Sequence, residues 1–174
     1  MADFNCRPIT FRPARPEEAE TIAAYHRRCW LEAFALLMEP DAVAGMAADF
    51  NLAKWRLWLD PGSEPQTVVA DLDGIPIGHT TVASNEILHV FVHPDHWRTG
   101  LGRSLLAIGE DLLAQAGHGE IELHTIVGNE PALTLYRSTG WIVTDRTIDN
   151  DNHGVTYTEH VLTKQLHAGP EETT

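Results

Sequence analysis

The sequence is poor in positive charge, in cysteine and in long apolar runs. Twelve Lys and Arg stand against 25 Asp and Glu, a formal net charge of −13. Phosphate binding needs a basic surface, so nucleic acid is not an expected partner. An acidic surface serves solubility and is compatible with a cationic small substrate. Cys6 and Cys29 form no CxxC pair and no metal-ligand spacing, and read as reduced thiols of an intracellular chain. No apolar run approaches the roughly 18 residues of a membrane span. The opening MADFNCRPITFRP has no apolar h-region, so no secretory signal is expected and the cytoplasm is the default location. Internal repeats, low-complexity linkers and a Gly-x-Ser-x-Gly elbow are also missing, which argues against a nucleophilic hydrolase.

What is there fits a single domain over residues 1–166, with 167–174 (HAGPEETT) as a flexible tail. Residues 7–12 read as a first strand. Pro16 opens a helix with Glu17 and Glu18 in its first turn, and Ile22, Tyr25, Cys29, Trp30, Ala33, Phe34 and Leu37 follow at helical spacing until Pro40. A second helical stretch, about 41–59, carries Met46, Phe50, Trp55 and Trp58 and stops at Pro61-Gly62. Asp73-Gly74 between two β-rich runs predicts a hairpin of strands 67–72 and 75–83. Residues 86–93 form the next strand, 120–127 another, 130–138 a short helix ended by Gly140, and 141–148 and 154–163 two last strands around the turn DNDNHG. This order predicts an α/β domain: a mixed, mostly antiparallel central sheet of about seven strands with helices on both faces. The crossover between strands 86–93 and 120–127 is right-handed and makes them parallel neighbours.

The most informative stretch is HPDHWRTGLGRSLLAIGEDLLAQ, residues 93–115. Gly100 and Gly102 remove side chains where the chain turns from strand into helix. The amides of Arg98, Thr99, Gly100, Leu101, Gly102 and Arg103 can then point at one centre at the positive end of a helix, a ready site for a diphosphate. A P-loop is excluded by the missing Gly-Lys-Ser/Thr ending. A dinucleotide fingerprint is excluded by Leu105 in place of its third small residue and by the strands that precede the loop.

VFVHPDHWRTGLGRSLL resembles the acyl-CoA loop of the GCN5-related N-acetyltransferases (GNAT), whose signature is Gln/Arg-x-x-Gly-x-Gly/Ala. Downstream, GNEPALTLYRSTGW is similar to the same family's Asn-x-x-Ala-x-x-Leu/Phe-Tyr-x-x-x-Gly-Phe/Trp. The resemblance extends from about residue 7 to 165, with one departure, Trp97 in the Gln/Arg slot. It implies a sheet splayed between its fourth and fifth strands, with acetyl-CoA as co-substrate. Backbone groups of Val90, Phe91 and Val92 are implied to pair with the pantetheine arm, and amides 98–103 to hold the diphosphate. Asn129 and Tyr136 are implied at the sulfur end. The implied activity is direct transfer of acetyl to an amine, by a soluble enzyme in a family where homodimers are frequent. Alternatives are another acyl group, or an acyl-CoA-binding module without turnover.

An amine of pKa about 10 arrives as ammonium, so a base must take a proton before attack, and the departing thiolate needs an acid. Tyr136 is the acid candidate, against the alternative of a plain core tyrosine. Base candidates, in order, are Glu86, His124 and His89. Trp30, Phe34, Trp55 and Trp58 belong to helices that wall the acceptor side in this family, with core packing as the default for any one of them. No metal is assigned: His89 and His93 on one strand would lie about 13 Å apart, too far to share one ion. The acceptor itself is not readable from the sequence.

Overall fold

The computed structural model of this chain describes residues 8–35, 37–48, 52–60, 62, 64–152 and 155–166. Arg7, Cys6, Phe50, Pro61, the turn residues His153 and Gly154, the tail 167–174 and the side chain of Met46 lie outside them.

The first strand is β1, Thr10–Pro13, shifted from the expected 7–12. A one-turn 3-10 segment, Pro16–Glu18, leads into α1, Ala19–Ala33. This helix ends at Phe34 and does not run on to Pro40. The Phe34 ring lies tilted against Trp30, centroids 4.3 Å apart, and packs with Ile126 of the sheet. Pro40 begins the next helix, where its missing N–H is harmless. Of the stretch expected over 41–59, the described residues hold α2 (Pro40–Ala48) and α3 (Leu52–Trp58), and 49–51 lie outside them.

The hairpin is as expected: β2 (Gln66–Leu72) and β3 (Ile75–Ala83) join through Asp73 and Gly74, both at positive φ (56° and 85°), the type I′ geometry. The Asp71 carboxylate also accepts the Gly74 N–H at 2.7 Å. The remaining elements are β4 (Glu86–Val92), a 3-10 turn (Pro94–His96), α4 (Leu101–Gln115), β5 (Glu120–Ile126), α5 (Glu130–Ser138), β6 (Ile142–Asn152) and β7 (Val155–Gln165). The last two strands are longer than expected because the DNDN segment continues the ladder, with Asn152 paired to Val155.

The seven strands lie in the order β1-β2-β3-β4-β5-β7-β6, all antiparallel except the β4–β5 pair. Helices cover both faces. On one, Leu106 and Leu113 of α4 and Leu133 and Tyr136 of α5 pack on Ile87, Ile121, Leu123 and Leu162. On the other, Ile22 and Tyr25 of α1 and Trp55 of α3 pack on Val69. Each fully buried Ile or Leu in these layers contributes about 1.5–3 kcal/mol. Gly109 lets α4 lie flat: a Cβ there would stand 2.8 Å from Thr80 Oγ1.

Candidate active site

Strands β4 and β5 begin as neighbours and then part. Only Glu86–Glu122 and Ile87–Leu123 are paired between them. Two features cause this. β4 carries a bulge, since Thr81 pairs His89 while Val82 pairs Ile87, leaving Leu88 as the extra residue. A bulge increases local twist and turns the strand. Meanwhile β5 stays on β7 as far as Ile126 and Glu159. Residues 88–92 therefore remain half-buried although β4 sits mid-sheet. The gap opens into a cleft of about 660 Å³, lined by β4, β5 and residues of α1 and α5.

In an antiparallel ladder, successive residues alternate between facing the partner strand and facing away. His93 N–H donates to Ile77 O at 2.8 Å, so alternation turns the peptide groups of Val92 and Val90 toward the cleft and those of Phe91 toward β3. Of the three residues expected to meet a pantetheine arm, Val90 and Val92 are so placed and Phe91 is not. Val92 O is already taken: Trp97 Nε1–H donates to it at 2.7 Å and the Cys29 thiol at 3.0 Å. Trp97 in the Gln/Arg slot thus ties the loop back to β4. Burial raises the Cys29 thiol to about 12, with the Glu32 charge adding to the effect, so it acts here as a neutral donor.

The glycine loop delivers an open helix start. Arg98 and Gly100 both have positive φ (62° and 91°), and Gly100 is the N-cap of α4 without any side-chain cap. The first amides of a helix have no intrahelical acceptor, so those of Leu101, Gly102 and Arg103 remain available. Arg98 and Gly102 line the cleft. Thr99 Oγ1 donates to His96 O at 2.8 Å and fixes the loop, and Arg103 reaches Ser138 Oγ at 2.8 Å.

At the far wall, Asn129 caps α5 by accepting the Ala132 N–H at 3.4 Å, and its amide faces Thr125 Oγ1 at 3.5 Å. Tyr136, two turns on, lines the cleft and is buried, and its hydroxyl has no hydrogen-bond partner among the described residues. Burial raises it to about 12, so it holds its proton at neutral pH.

The candidate bases meet across the start of the splay. His124 Nδ1 lies 3.3 Å from Glu86 Oε1, and its Nε2 lies 3.9 Å from Glu122 Oε2. His124 lines the cleft, and Glu86 stands behind it. Glu159 of β7 was not singled out by sequence. It lines the cleft, and burial raises its carboxyl, with Glu86 adding to the rise and His124 and the Asn150 amide opposing it. Tyr157 was missed too. Their strand alternation is visible in sequence, but the pairing that brings them to the cleft is not. Trp30 and Phe34 line the cleft, whereas Trp55 is buried in the α1–α3 layer and is 5.6 Å from the His89 ring.

His89, weighed in sequence with His93 and His96, meets two other histidines. His26 of α1 and His79 of β3 surround it, and one nitrogen of each ring lies within 4.8 Å of one of the others. Burial holds both His26 and His79 far below the usual imidazole range, and the neighbouring rings add to this.

A family model described as Acetyltransferase (GNAT) family matches residues 19–141. A mycothiol acetyltransferase of Clavibacter sepedonicus is 35% identical over 111 residues, covering 62% of this chain but only 36% of that protein's length. The GCN5-related N-acetyltransferase structure from Rhodopseudomonas palustris superposes with a TM-score of 0.81 at 22% identity, over 91% of this chain and 96% of that one. The PaiA N-acetyltransferase of Thermoplasma acidophilum, solved in complex with coenzyme A, gives 0.77 at 18% identity, over 91% and 99%. The two structures establish the shared fold. The parted β4 and β5, the uncapped start of α4 and the family match over residues 19–141 converge on one statement: the chain belongs to the acetyltransferase (GNAT) family.

Proposed function

We propose that this domain is an acetyl-CoA-dependent N-acetyltransferase that moves acetyl directly to an amine. The observation that carries the reading is the alignment of two features: a helix start with free amides, and a gap between parallel strands that exposes the edge of β4. The diphosphate rests on amides 98–103, beside Arg98 and Arg103. The pantetheine arm lies along β4, taking the cleft-facing peptide groups of Val90 and Val92 N–H as an added strand would. That places the thioester where β4 and β5 part, between His124 and Tyr136.

The amine enters from the α1 face, past Trp30, Phe34, Tyr157 and Glu159. His124 takes its proton, held in position by Glu86 at 3.3 Å. The amine nitrogen attacks the acetyl carbonyl, and a cleft-facing N–H of β4 stabilises the oxyanion. The C–S bond breaks as Tyr136, still protonated, gives its proton to the sulfur. The carboxylates of Glu86, Glu122 and Glu159 favour a cationic acceptor over an anionic one. The buried free thiol of Cys29 suits a reducing compartment such as the cytoplasm. Among the described residues, no helix is long and apolar enough to cross a membrane.

The test pairs calorimetry with a thiol-release assay across acyl-CoAs and an amine panel of amino acids, peptide N-termini, polyamines and aminoglycosides. Acetyl-CoA should bind, and at least one amine should drive coenzyme A release faster with acetyl-CoA than with propionyl- or succinyl-CoA. Binding with no release over the whole panel makes the protein an acyl-CoA-binding module instead.

A further inference from the structure

We propose that His26, His79 and His89 form a binding site for one divalent transition-metal ion, of which Zn²⁺ is the natural probe. The three come from α1, β3 and β4, separate in sequence and brought together by the fold. In the β3–β4 ladder His79 pairs with Phe91 and His89 with Thr81, so the two rings are diagonal neighbours. α1 lays His26 over both, 5.6 Å from His79 and 5.2 Å from His89 between ring centroids, with His79 and His89 5.7 Å apart. Three imidazoles on a tetrahedral Zn²⁺ at about 2.0–2.1 Å per bond have ring centroids about 5.2 Å apart. The rings already stand at nearly that spacing. Their nitrogens, now within 4.8 Å of each other, need rotation more than translation to reach the roughly 3.4 Å of a common ion.

The hydrogen bonds around the rings supply the second argument. Tyr25 Oη lies 2.7 Å from His79 Nδ1. The other nitrogen of that ring, Nε2, is fully buried and has no hydrogen-bond partner among the described residues. A buried orphan of this kind is costly unless something occupies it. With the proton on Nδ1 and Tyr25 accepting it, Nε2 presents a lone pair to the cluster, the arrangement in which a ligating histidine is oriented by its other N–H. Trp30 Nε1–H donates to His26 Nε2 at 3.0 Å. An indole only donates, so the proton of neutral His26 sits on Nδ1. Ligation through Nδ1 moves that proton to Nε2, where it faces the indole N–H, and Trp30 must turn away. Trp30 lines the acceptor side of the cleft, so the ion is coupled to the shape of that wall. Three neutral nitrogens without a carboxylate select Zn²⁺, Co²⁺, Ni²⁺ or Cu²⁺ over Mg²⁺ and Ca²⁺. They also leave a fourth position for water or a ligand, and two of the three, His26 and His89, line the cleft.

The test is calorimetric titration of the chelator-stripped full chain with Zn²⁺, alongside Trp fluorescence and X-ray absorption of the Zn²⁺-loaded protein. The expected result is one ion per chain, a fluorescence change that Trp30→Phe diminishes, and a first shell with three imidazole nitrogens. His26→Gln and His89→Gln should each weaken binding about 100-fold, and His118→Gln, outside the cluster, should leave it unchanged. Wild-type protein that takes up no Zn²⁺, or affinity altered less than tenfold in both cluster variants, overturns the proposal. So does an absorption spectrum dominated by sulfur or carboxylate ligands, which requires no variant to fold.

Discussion

Replacing Tyr136 with phenylalanine removes one oxygen and leaves the ring in place. The ring packs in the α4–α5 layer beside Leu133, Leu162 and Trp141, and that packing is untouched. The hydroxyl has no partner among the described residues, so no hydrogen bond within them is lost. The hydroxyl is reachable from the cleft and carries no burial penalty of its own, so its removal should change stability by less than about 1 kcal/mol. For a chain of this length, 1 kcal/mol moves Tm by only about 2–4 °C. Catalysis should behave oppositely. If the hydroxyl protonates the departing sulfur, its loss should lower kcat about 100-fold, which is about 2.7 kcal/mol of barrier. KM for acetyl-CoA should change less than threefold, because the proton transfer belongs to the transition state. The assay is steady-state thiol release with a thermal melt of the same preparation. A variant that keeps kcat within twofold of wild type, or loses kcat only in proportion to lost folded protein, refutes the assignment.

Three further predictions follow from other parts of the molecule. His124→Gln should lower kcat about 100-fold near neutral pH, while Glu86→Gln, which removes the carboxylate 3.3 Å from the imidazole, should cost nearer tenfold; unchanged kcat in both variants places the base elsewhere. Gly100→Ala forces a side chain into φ 91°, costing roughly 1–2 kcal/mol, and should weaken acetyl-CoA binding about tenfold by calorimetry; unaltered affinity argues against a loop-held diphosphate. Glu18 is buried, which alone would raise its carboxyl, yet hydrogen bonds from Arg12 at 2.6 and 3.0 Å and from Arg15 at 2.9 Å bring it down to about 2. A depressed carboxyl stabilises the fold above its unfolded value near 4.5 and loses that contribution as pH falls toward 2. Urea melts should therefore show wild type losing of order 2–3 kcal/mol over this range beyond what Glu18→Gln loses. Parallel curves would contradict it.

The sequence carried the local features of the fold well. Asp73-Gly74 named its own turn, and the Gly100–Gly102 spacing marked a helix entrance, because both depend on backbone conformations only a few residues tolerate. The splay of β4 from β5 came from family resemblance, since nothing in EILHVFV announces a bulge at Leu88. Site chemistry that depends on long-range register was least legible. Glu86 and His124 are both singled out by the sequence, but their meeting across the strand pair depends on the parallel register of β4 and β5. The meeting of His26, His79 and His89 depends on an α1 crossing over the β3–β4 ladder, which no local spacing encodes.

The central claim is that peptide amides at the start of α4 and the open edge of β4 hold coenzyme A. Amide chemical shifts of the ¹⁵N-labelled protein, followed during titration with coenzyme A, test it most directly. The largest changes should fall on Gly100, Leu101, Gly102 and Arg103 and on Val90 and Val92. Saturable binding that leaves those six amides unmoved would contradict the account.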